Sequence, residues 1–101
     1  MKSKTSIEHE FLAMLEKRPH TREELSIQLN LSDRSVRKLV ADLRMKGYRI
    51  LSSSYQAGYW IGIDAEYKIF RNEILGRIRE LTLLIKAMDK GVKDEYKDQR
   101  N

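Results

Sequence analysis

Four side chains near the start of one predicted helix could bind an anionic partner through charge and hydrogen bonds. They are Arg34, Ser35, Arg37 and Lys38. An arginine guanidinium can donate two parallel hydrogen bonds to a phosphate or to a guanine edge, and lysine and serine can reach bases or phosphates. The free amide groups in the first turn of a helix favour the same ligands. The segment predicts a polyanion-binding surface; the alternative is an ordinary solvated helix face.

The net charge of +5 is concentrated in the third of the chain that contains these side chains. Residues 30–63 carry six basic and two acidic residues, a net charge of +4, whereas residues 1–29 are neutral and residues 64–101 carry +1. A local excess of cations is expected of a nucleic-acid-binding surface. We therefore add Arg44 and Arg49 to the DNA-binding candidates. Asp33 either complements the helix dipole or accepts a hydrogen bond from a cytosine amine.

Residue types suited to catalysis or metal binding are scarce. The chain has no cysteine, and its two histidines, His9 and His20, have no partners at metal-ligand spacing. The adjacent Glu23 and Glu24 point in different directions on a helix, which suits the helix dipole and not acid–base work. No glycine-rich phosphate loop or nucleophile motif occurs. We expect no enzymatic activity, no catalytic residue, no metal and no cofactor.

Two short helices separated by a tight turn are predicted to position the cations. Thr21 and Glu24 form a capping box at the start of the first helix, and Leu25 and Leu29 supply its apolar side. This helix ends near Asn30, because asparagine tolerates left-handed backbone angles.

The second helix carries the cations on the side opposite its core-facing residues. Ser32 is its predicted N-cap, and Gly47 ends it. Its apolar stripe follows the i, i+3, i+4, i+7 spacing of an amphipathic helix and consists of Val36, Leu39, Val40 and Leu43. Two short helices across a turn of about three to four residues form a helix-turn-helix.

A helix is also predicted before this pair, and a hairpin after it. Thr5 and Glu8 form a second capping box, and Pro19 stops a helix that runs to Lys17. Residues 48–54 and 57–63 alternate like two strands, with Leu51 and Trp60 on a face that another element must cover. At the hairpin tip, the side chains that could bind phosphates or lie along a minor groove are Ser53, Tyr55 and Gln56. An ordinary exposed turn would have the same composition.

Residues 65–88 are predicted to form one long helix with Asp64 as its N-cap. Apolar side chains recur in a heptad pattern, and the candidates for self-association are Tyr67, Ile74, Ile78, Leu81, Ile85 and Met88. Arg71 shares the alternate heptad position with Ile78 and Ile85. The apolar stripe is wide enough to pack on the hairpin and also to meet another chain; the alternative is that it only completes the core of a monomer. Gly76 is unexplained unless another backbone approaches it closely.

These elements predict a mainly α fold with a small β-hairpin, a winged helix-turn-helix followed by a long C-terminal helix. The predicted organisation is a DNA-binding domain at residues 5–63, an oligomerisation helix at 64–88 and a flexible tail at 89–101. No apolar run is long enough for a membrane span, and the N-terminus lacks the apolar core of a signal peptide. We expect a cytoplasmic, nucleoid-associated protein with no membrane partner.

Residues 7–63 resemble the winged-helix module at the N-terminus of biotin protein ligase repressors and, more loosely, DeoR-type regulators. The residues that carry the resemblance are Thr21, Leu25, Leu29, Asn30, Leu31, Ser32, Ser35, Val36, Leu39, Leu43, Gly47, Tyr48, Ile50, Gly58, Tyr59 and Ile61. The short winged helix with a long final helix is also similar to small bacterial or phage DNA-binding proteins. The resemblance implies binding to double-stranded DNA.

Two functional hypotheses follow from the sequence. The first is a sequence-preferring double-stranded DNA-binding protein, a homodimer that acts in transcription control or in phage or plasmid replication or partition. The second is a protein-interaction module in which the winged helix is a scaffold, and Trp60 and the long helix bind a partner. The local basic charge favours the first hypothesis.

Overall fold

The computed structural model describes residues 3–53 and 57–92 of the chain. Its elements, in chain order, are α1 (Lys4–Lys17), α2 (Arg22–Leu29), α3 (Asp33–Met45), β1 (Ile50–Ser52), β2 (Tyr59–Ile61) and α4 (Asp64–Lys90). This order confirms the predicted fold class, three helices followed by a hairpin and a long helix. The chain divides into two compact units, with the boundary after Phe70 within α4. No helix in the described ranges combines the length and the apolar character of a membrane span.

The core lies where α1, α2, α3 and β1 meet. The predicted stripe on α3 is confirmed, because all four of its residues are buried. The buried apolar side chains of this cluster are Phe11, Leu12, Leu15, Leu25, Val36, Leu39, Val40, Leu43 and Ile50. Since these residues come from four different elements, burying them fixes the orientation of α3 and of the face it turns to solvent.

Local capping signals set the ends of α2 and α3 as predicted. Thr21 accepts a hydrogen bond from the Glu24 amide, and the Glu24 side chain accepts one from the Thr21 amide, so the capping box is complete. Asn30 adopts left-handed angles, with φ of 53° and ψ of 50°. Ser32 caps α3, and Gly47 follows its end at a φ of +101°. The turn between the two helices is therefore determined by the left-handed Asn30 and the N-cap Ser32.

The predicted start of α1 is wrong. Ser3, not Thr5, is the N-cap, and its hydroxyl accepts a hydrogen bond from the Ser6 amide. Glu8 does not cap the helix, because the capping-box partner of Ser3 would be residue 6, two positions earlier; it is buried instead. Both of its carboxylate oxygens accept hydrogen bonds from the Lys46 ammonium, at 3.1 and 2.8 Å. This ion pair raises the pKa of Lys46 and ties α1 to the end of α3.

The hairpin strands are shorter than predicted, and they have an additional partner. Ile50 pairs with Ile61, and Ser52 pairs with Tyr59, in an antiparallel register. Tyr59 also forms an isolated bridge with His20, with backbone N–O distances of 3.0 and 2.8 Å. His20 is buried, and its Nδ1 donates to the Arg18 carbonyl at 2.9 Å. The bridge holds the hairpin against the segment that connects α1 and α2.

Leu51, which was predicted to need a covering element, is buried, and Gly62 lies against it. Leu51 is only 2% exposed. A Cβ added to Gly62 would lie 2.1 Å from the Leu51 side chain, so a larger residue here would require Leu51 to shift. Trp60 is half-buried, and its indole N–H has no hydrogen-bond partner within the described residues.

The bounds of α4 differ slightly from those predicted. Asp64 is its first residue and not its N-cap, since the Ile63 amide precedes the helix and donates to the Glu66 carboxylate at 3.1 Å. At the other end, Asp89 and Lys90 are still helical, although the tail was expected to start at residue 89. The rest of the predicted tail, apart from residues 91 and 92, lies outside the described residues.

Replacing Gly76 with alanine should stabilise α4. No described atom lies within 4 Å of a Cβ at this position, so the substitution costs no contact. A glycine in a helix interior is less favourable than alanine by about 0.5 to 1 kcal/mol. We therefore expect the free energy of unfolding to rise by that amount, as measured by thermal unfolding followed by circular dichroism. Gly91→Ala is the control. It should not raise the free energy of unfolding, because Gly91 has a φ of +69°, which residues other than glycine rarely adopt. Destabilisation by Gly76→Ala would mean that another backbone packs against Gly76.

Glu24 should make the stability of the domain depend on pH in the acid range. The Arg18 guanidinium, 2.9 Å away, and the Thr21 amide lower the pKa of Glu24 to about 2. Because the pKa in the folded state is below that of the unfolded chain, the stabilisation is complete above pH ~4.5 and is lost as the pH falls towards 2. We expect Glu24→Gln to lower the free energy of unfolding at pH 7. The difference in this free energy between the variant and the parent should shrink as the pH falls from about 4.5 towards 2.

Urea unfolding at several pH values tests this expectation. Glu23→Gln is the matched control, since it removes the same charge from the neighbouring exposed position of the same helix turn. Equal pH profiles for the two variants would contradict a specific role of the Glu24 contacts.

Candidate nucleic-acid interface

The outer face of α3 presents the predicted cations to solvent. Arg34, Ser35, Arg37 and Lys38 are all exposed, and the buried stripe of α3 lies on the other side of the helix. Arg34 and Lys38 have no ion-pair partner in the part of the chain that the structure describes. They occupy the first two turns of the helix, where the amide dipoles add positive potential. Their charges are therefore available to an external anion.

Asp33 holds two arginines from different helices. Its carboxylate oxygens lie 2.9 Å from Nε of Arg22 and 3.0 Å from Nε of Arg37. All three side chains are about half exposed, so the pairs are screened by water and are weak contributors to stability. Their effect is geometric, since one carboxylate keeps both guanidinium groups at the N-terminal end of α3.

Arg22 was missed by the sequence reasoning. It lies in the first turn of α2, in a segment whose net charge is zero, and charge counting along the chain therefore gave it no weight. The helix-turn-helix brings the start of α2 beside the start of α3. Arg22 could have been predicted from its position at the start of the first helix of the pair, because that helix crosses the DNA backbone in known helix-turn-helix complexes.

Ser35 lies on the side of α3 that faces α1. Its hydroxyl is 3.0 Å from that of Ser32, and its amide donates to the Ser32 hydroxyl. A shallow groove of about 310 Å³ opens beside it. The residues that line this groove are Lys4, Ile7, Leu31, Ser35, Lys38, Leu39 and Asp42. Ser35 and Lys38 therefore both border the groove between α1 and α3.

Arg44 is placed inside the domain, although it was predicted to lie on the cationic face. Its Nε donates to the Ile50 carbonyl at 2.7 Å, and its guanidinium lies 5.1 Å from the centre of the Phe70 ring. Burial lowers the pKa of Arg44 below its usual value. The reason is helical spacing, since Arg44 lies four residues after Val40 and eight after Val36, at the border of the buried stripe. Arg44 connects α3 to the hairpin.

Arg49 also makes contacts within the domain. Its guanidinium donates to the Asp64 carboxylate at 3.0 Å and stacks 4.3 Å from the centre of the Tyr67 ring. Both partners belong to the first turns of α4. The side chain keeps 45% of its surface exposed, but its charge is matched by Asp64. Tyr67, which was predicted to mediate self-association, is therefore occupied by this cation–π contact.

The hairpin side chains predicted to bind phosphates are only partly described. Ser53 is half-buried, whereas Tyr55 and Gln56 lie outside the described residues. A cavity of about 420 Å³ lies between the hairpin and the start of α2. Its lining residues are Thr21, Arg22, Glu23, Ser52, Ser53, Ala57, Gly58 and Tyr59. Arg22 is the cation that lines this cavity.

The second compact unit exposes the other predicted self-association residues. They are Ile74, Ile78, Leu81, Ile85 and Met88, with exposed fractions from 39% at Ile74 to 71% at Met88. Leu75 and Leu84 are exposed beside them. Scattered apolar residues on a surface are ordinary, whereas a continuous apolar row is uncommon on the surface of a monomer.

Comparison with known proteins agrees with this geometry. A family model described as an HTH domain matches residues 8–60, which is more than half of the chain. Among the curated proteins and the solved structures, no match to the chain was found. No group of three or more side chains suited to metal binding occurs in residues 3–53 and 57–92. The chain belongs to the helix-turn-helix domain family, and its α2–turn–α3 segment with the following hairpin is a DNA-binding domain of the winged type.

Proposed function

We propose that this protein is a sequence-preferring, double-stranded DNA-binding regulator whose contact surface is the cationic face of α3, defined as Arg34, Arg37 and Lys38, together with Arg22 of α2. The observation that carries the proposal is the exposure of Arg34 and Lys38 on the first two turns of α3 without an ion-pair partner within the described residues. The buried stripe on the other side of α3 fixes this face towards solvent. Arg44 and Arg49 are left out because each also stacks on an aromatic ring of α4, whereas the described contacts of Arg22 and Arg37 are ion pairs with the exposed Asp33.

The arrangement suits insertion of α3 into the major groove. The N-terminal residues of a second helix contact base edges, and arginine is the side chain that pairs best with guanine. Arg34 is the candidate for such a pair, and Lys38 reaches a base or a phosphate one turn later. Arg22, from the helix that crosses the backbone, is the candidate phosphate contact. The regulated process is transcription, or the replication or partition of a phage or plasmid, which would place the protein at the nucleoid.

A salt titration of duplex binding tests this proposal. Random duplexes are bound, selected and sequenced, and the affinity for the selected site is then measured at increasing salt concentration. We expect the logarithm of the binding constant to fall linearly with that of the salt concentration, by about 0.9 per neutralised phosphate. A flat salt dependence, or no enrichment of any sequence, would contradict the proposal.

We also propose that the protein is a homodimer through the exposed apolar row of α4. A dimer can bind two half-sites spaced by about one turn of DNA, roughly 34 Å, and so gains specificity. Light scattering should give twice the chain mass, and the double substitution Ile78→Asp, Leu81→Asp should return it to the mass of one chain. A parent protein of monomeric mass would contradict the dimer. A stable complex with a different protein in a pull-down, together with no DNA binding at low salt, would favour the interaction-module hypothesis.

A further inference from the structure

The exposed row on α4 has the spacing of a two-stranded coiled coil. Core positions of such a coil alternate by three and four residues, and on α4 they are Arg71, Ile74, Ile78, Leu81, Ile85 and Met88. All six are exposed in the single chain. The pattern is apolar at five positions and charged at the first, and this one exception distinguishes between the two possible orientations of a pair.

A parallel pair is disfavoured by Arg71. In a parallel coiled coil in register, each core residue meets its own copy. Arg71 would therefore meet Arg71 of the second copy, which places two guanidinium groups together in a core that is otherwise apolar. Like charges repel, and removing them from water without an opposite charge is costly.

An antiparallel pair removes this conflict. If Ile78 of one copy lies level with Leu81 of the other, Ile74 lies level with Ile85, and Arg71 lies level with Met88. All six core positions then have a partner, and each apolar residue other than Met88 meets an apolar residue. Asp89, one position beyond Met88, stands next to Arg71 of the second copy, and its carboxylate can accept hydrogen bonds from that guanidinium.

We infer that α4 pairs with α4 of a second copy in the antiparallel orientation, with an Arg71–Asp89 ion pair at each end. The inference rests on the self-association proposed above and adds its direction and register. The N-terminal ends of the two α4 helices then lie at opposite ends of the pair. The orientation therefore determines the distance between these two ends. The complementary charges are both on this chain, which is why the partner is a second copy.

Spin-label distances measure the orientation directly. The chain has no cysteine, so Lys90→Cys and Arg79→Cys each introduce a single labelling site into the full-length protein. In the antiparallel register, the two copies of residue 90 are offset by 21 residues, or about 32 Å along the helix axis. In a parallel pair they are separated only by the width of the coil, about 10 to 20 Å. Position 79 lies at the centre and should give a short distance in either orientation.

Long distances at position 90 with short distances at position 79 support the inference, whereas short distances at both overturn it. A charge exchange gives a second measurement. Arg71→Glu should weaken dimerisation at least tenfold, because it places two carboxylates together, and adding Asp89→Arg should restore it. No restoration would contradict the Arg71–Asp89 pair.

These outcomes are separate from those of the proposed function. A monomer in light scattering overturns both the pairing and its orientation, whatever the DNA titration gives. Loss of salt-dependent DNA binding, with a dimer that shows the long distance, overturns the proposed function alone.

Discussion

Replacing both Arg34 and Lys38 with alanine should lower the affinity for the selected duplex by about 10- to 100-fold at constant salt. These are the two cations of the cationic face that no described carboxylate neutralises, so their loss removes charge that is available to DNA. If Lys38 contacts a phosphate, the slope of the salt dependence should also fall by about one. If Arg34 pairs with guanine, discrimination against a changed base at one position should fall as well.

The control for this variant removes the same charge from another part of the chain. Arg79→Ala with Lys86→Ala deletes two exposed cations of the second unit, and it should change the affinity far less than Arg34→Ala with Lys38→Ala. Both double variants should unfold at the parent temperature, since none of the four side chains is buried. Equal losses of affinity in the two variants would mean that net charge alone, and not the face of α3, determines binding.

Replacing Gly58 with alanine should destabilise the winged-helix unit by about 3 kcal/mol or more. The φ of Gly58 is +95°, a region that costs another residue about 1 to 3 kcal/mol. In addition, an alanine Cβ would lie 2.4 Å from the His20 carbonyl oxygen, which belongs to the backbone and cannot turn away. The hairpin must therefore move, and the two hydrogen bonds between His20 and Tyr59 are strained or lost.

Gly47→Ala is the matched control for this substitution. Gly47 has a similar φ of +101°, but no described atom lies within 4 Å of the added Cβ. It should cost only the backbone strain, and the difference between the two variants in urea unfolding isolates the contact with His20. If Gly47→Ala destabilises the protein as much as Gly58→Ala, the bridge between the hairpin and the α1–α2 connection contributes little to stability.

Features that depend on neighbours in the sequence could be predicted. The capping box at Thr21, the left-handed Asn30, the N-cap at Ser32 and the buried stripe of α3 all follow from residues within about two helical turns. The start of α1 could not be resolved in this way, because Ser3 and Thr5 are both good caps. In addition, the glutamate that would complete a capping box with Thr5 is Glu8, and it pairs with Lys46, 38 residues away.

Side chains whose surroundings come from distant elements were harder to predict. Arg44 and Arg49 looked like free cations, because the sequence does not show that Phe70, Tyr67 and Asp64 of α4 lie against them. Arg22 was overlooked for the opposite reason, since its own segment is neutral and its partner Asp33 belongs to the next helix. Counting charge along the chain identifies a basic region. Only the fold shows which of its basic side chains remain available to an external anion.

The carboxylate of Asp33 lies between Arg22 and Arg37 and neutralises part of their charge. If these two arginines bind DNA as proposed, a phosphate oxygen would replace that carboxylate. In the proposed complex, DNA would exchange one anion for another at these two arginines, whereas at Arg34 and Lys38 it would meet cations balanced only by dissolved ions. The two pairs should therefore differ in the number of salt ions released on binding, with the smaller release from the pair that Asp33 already neutralises.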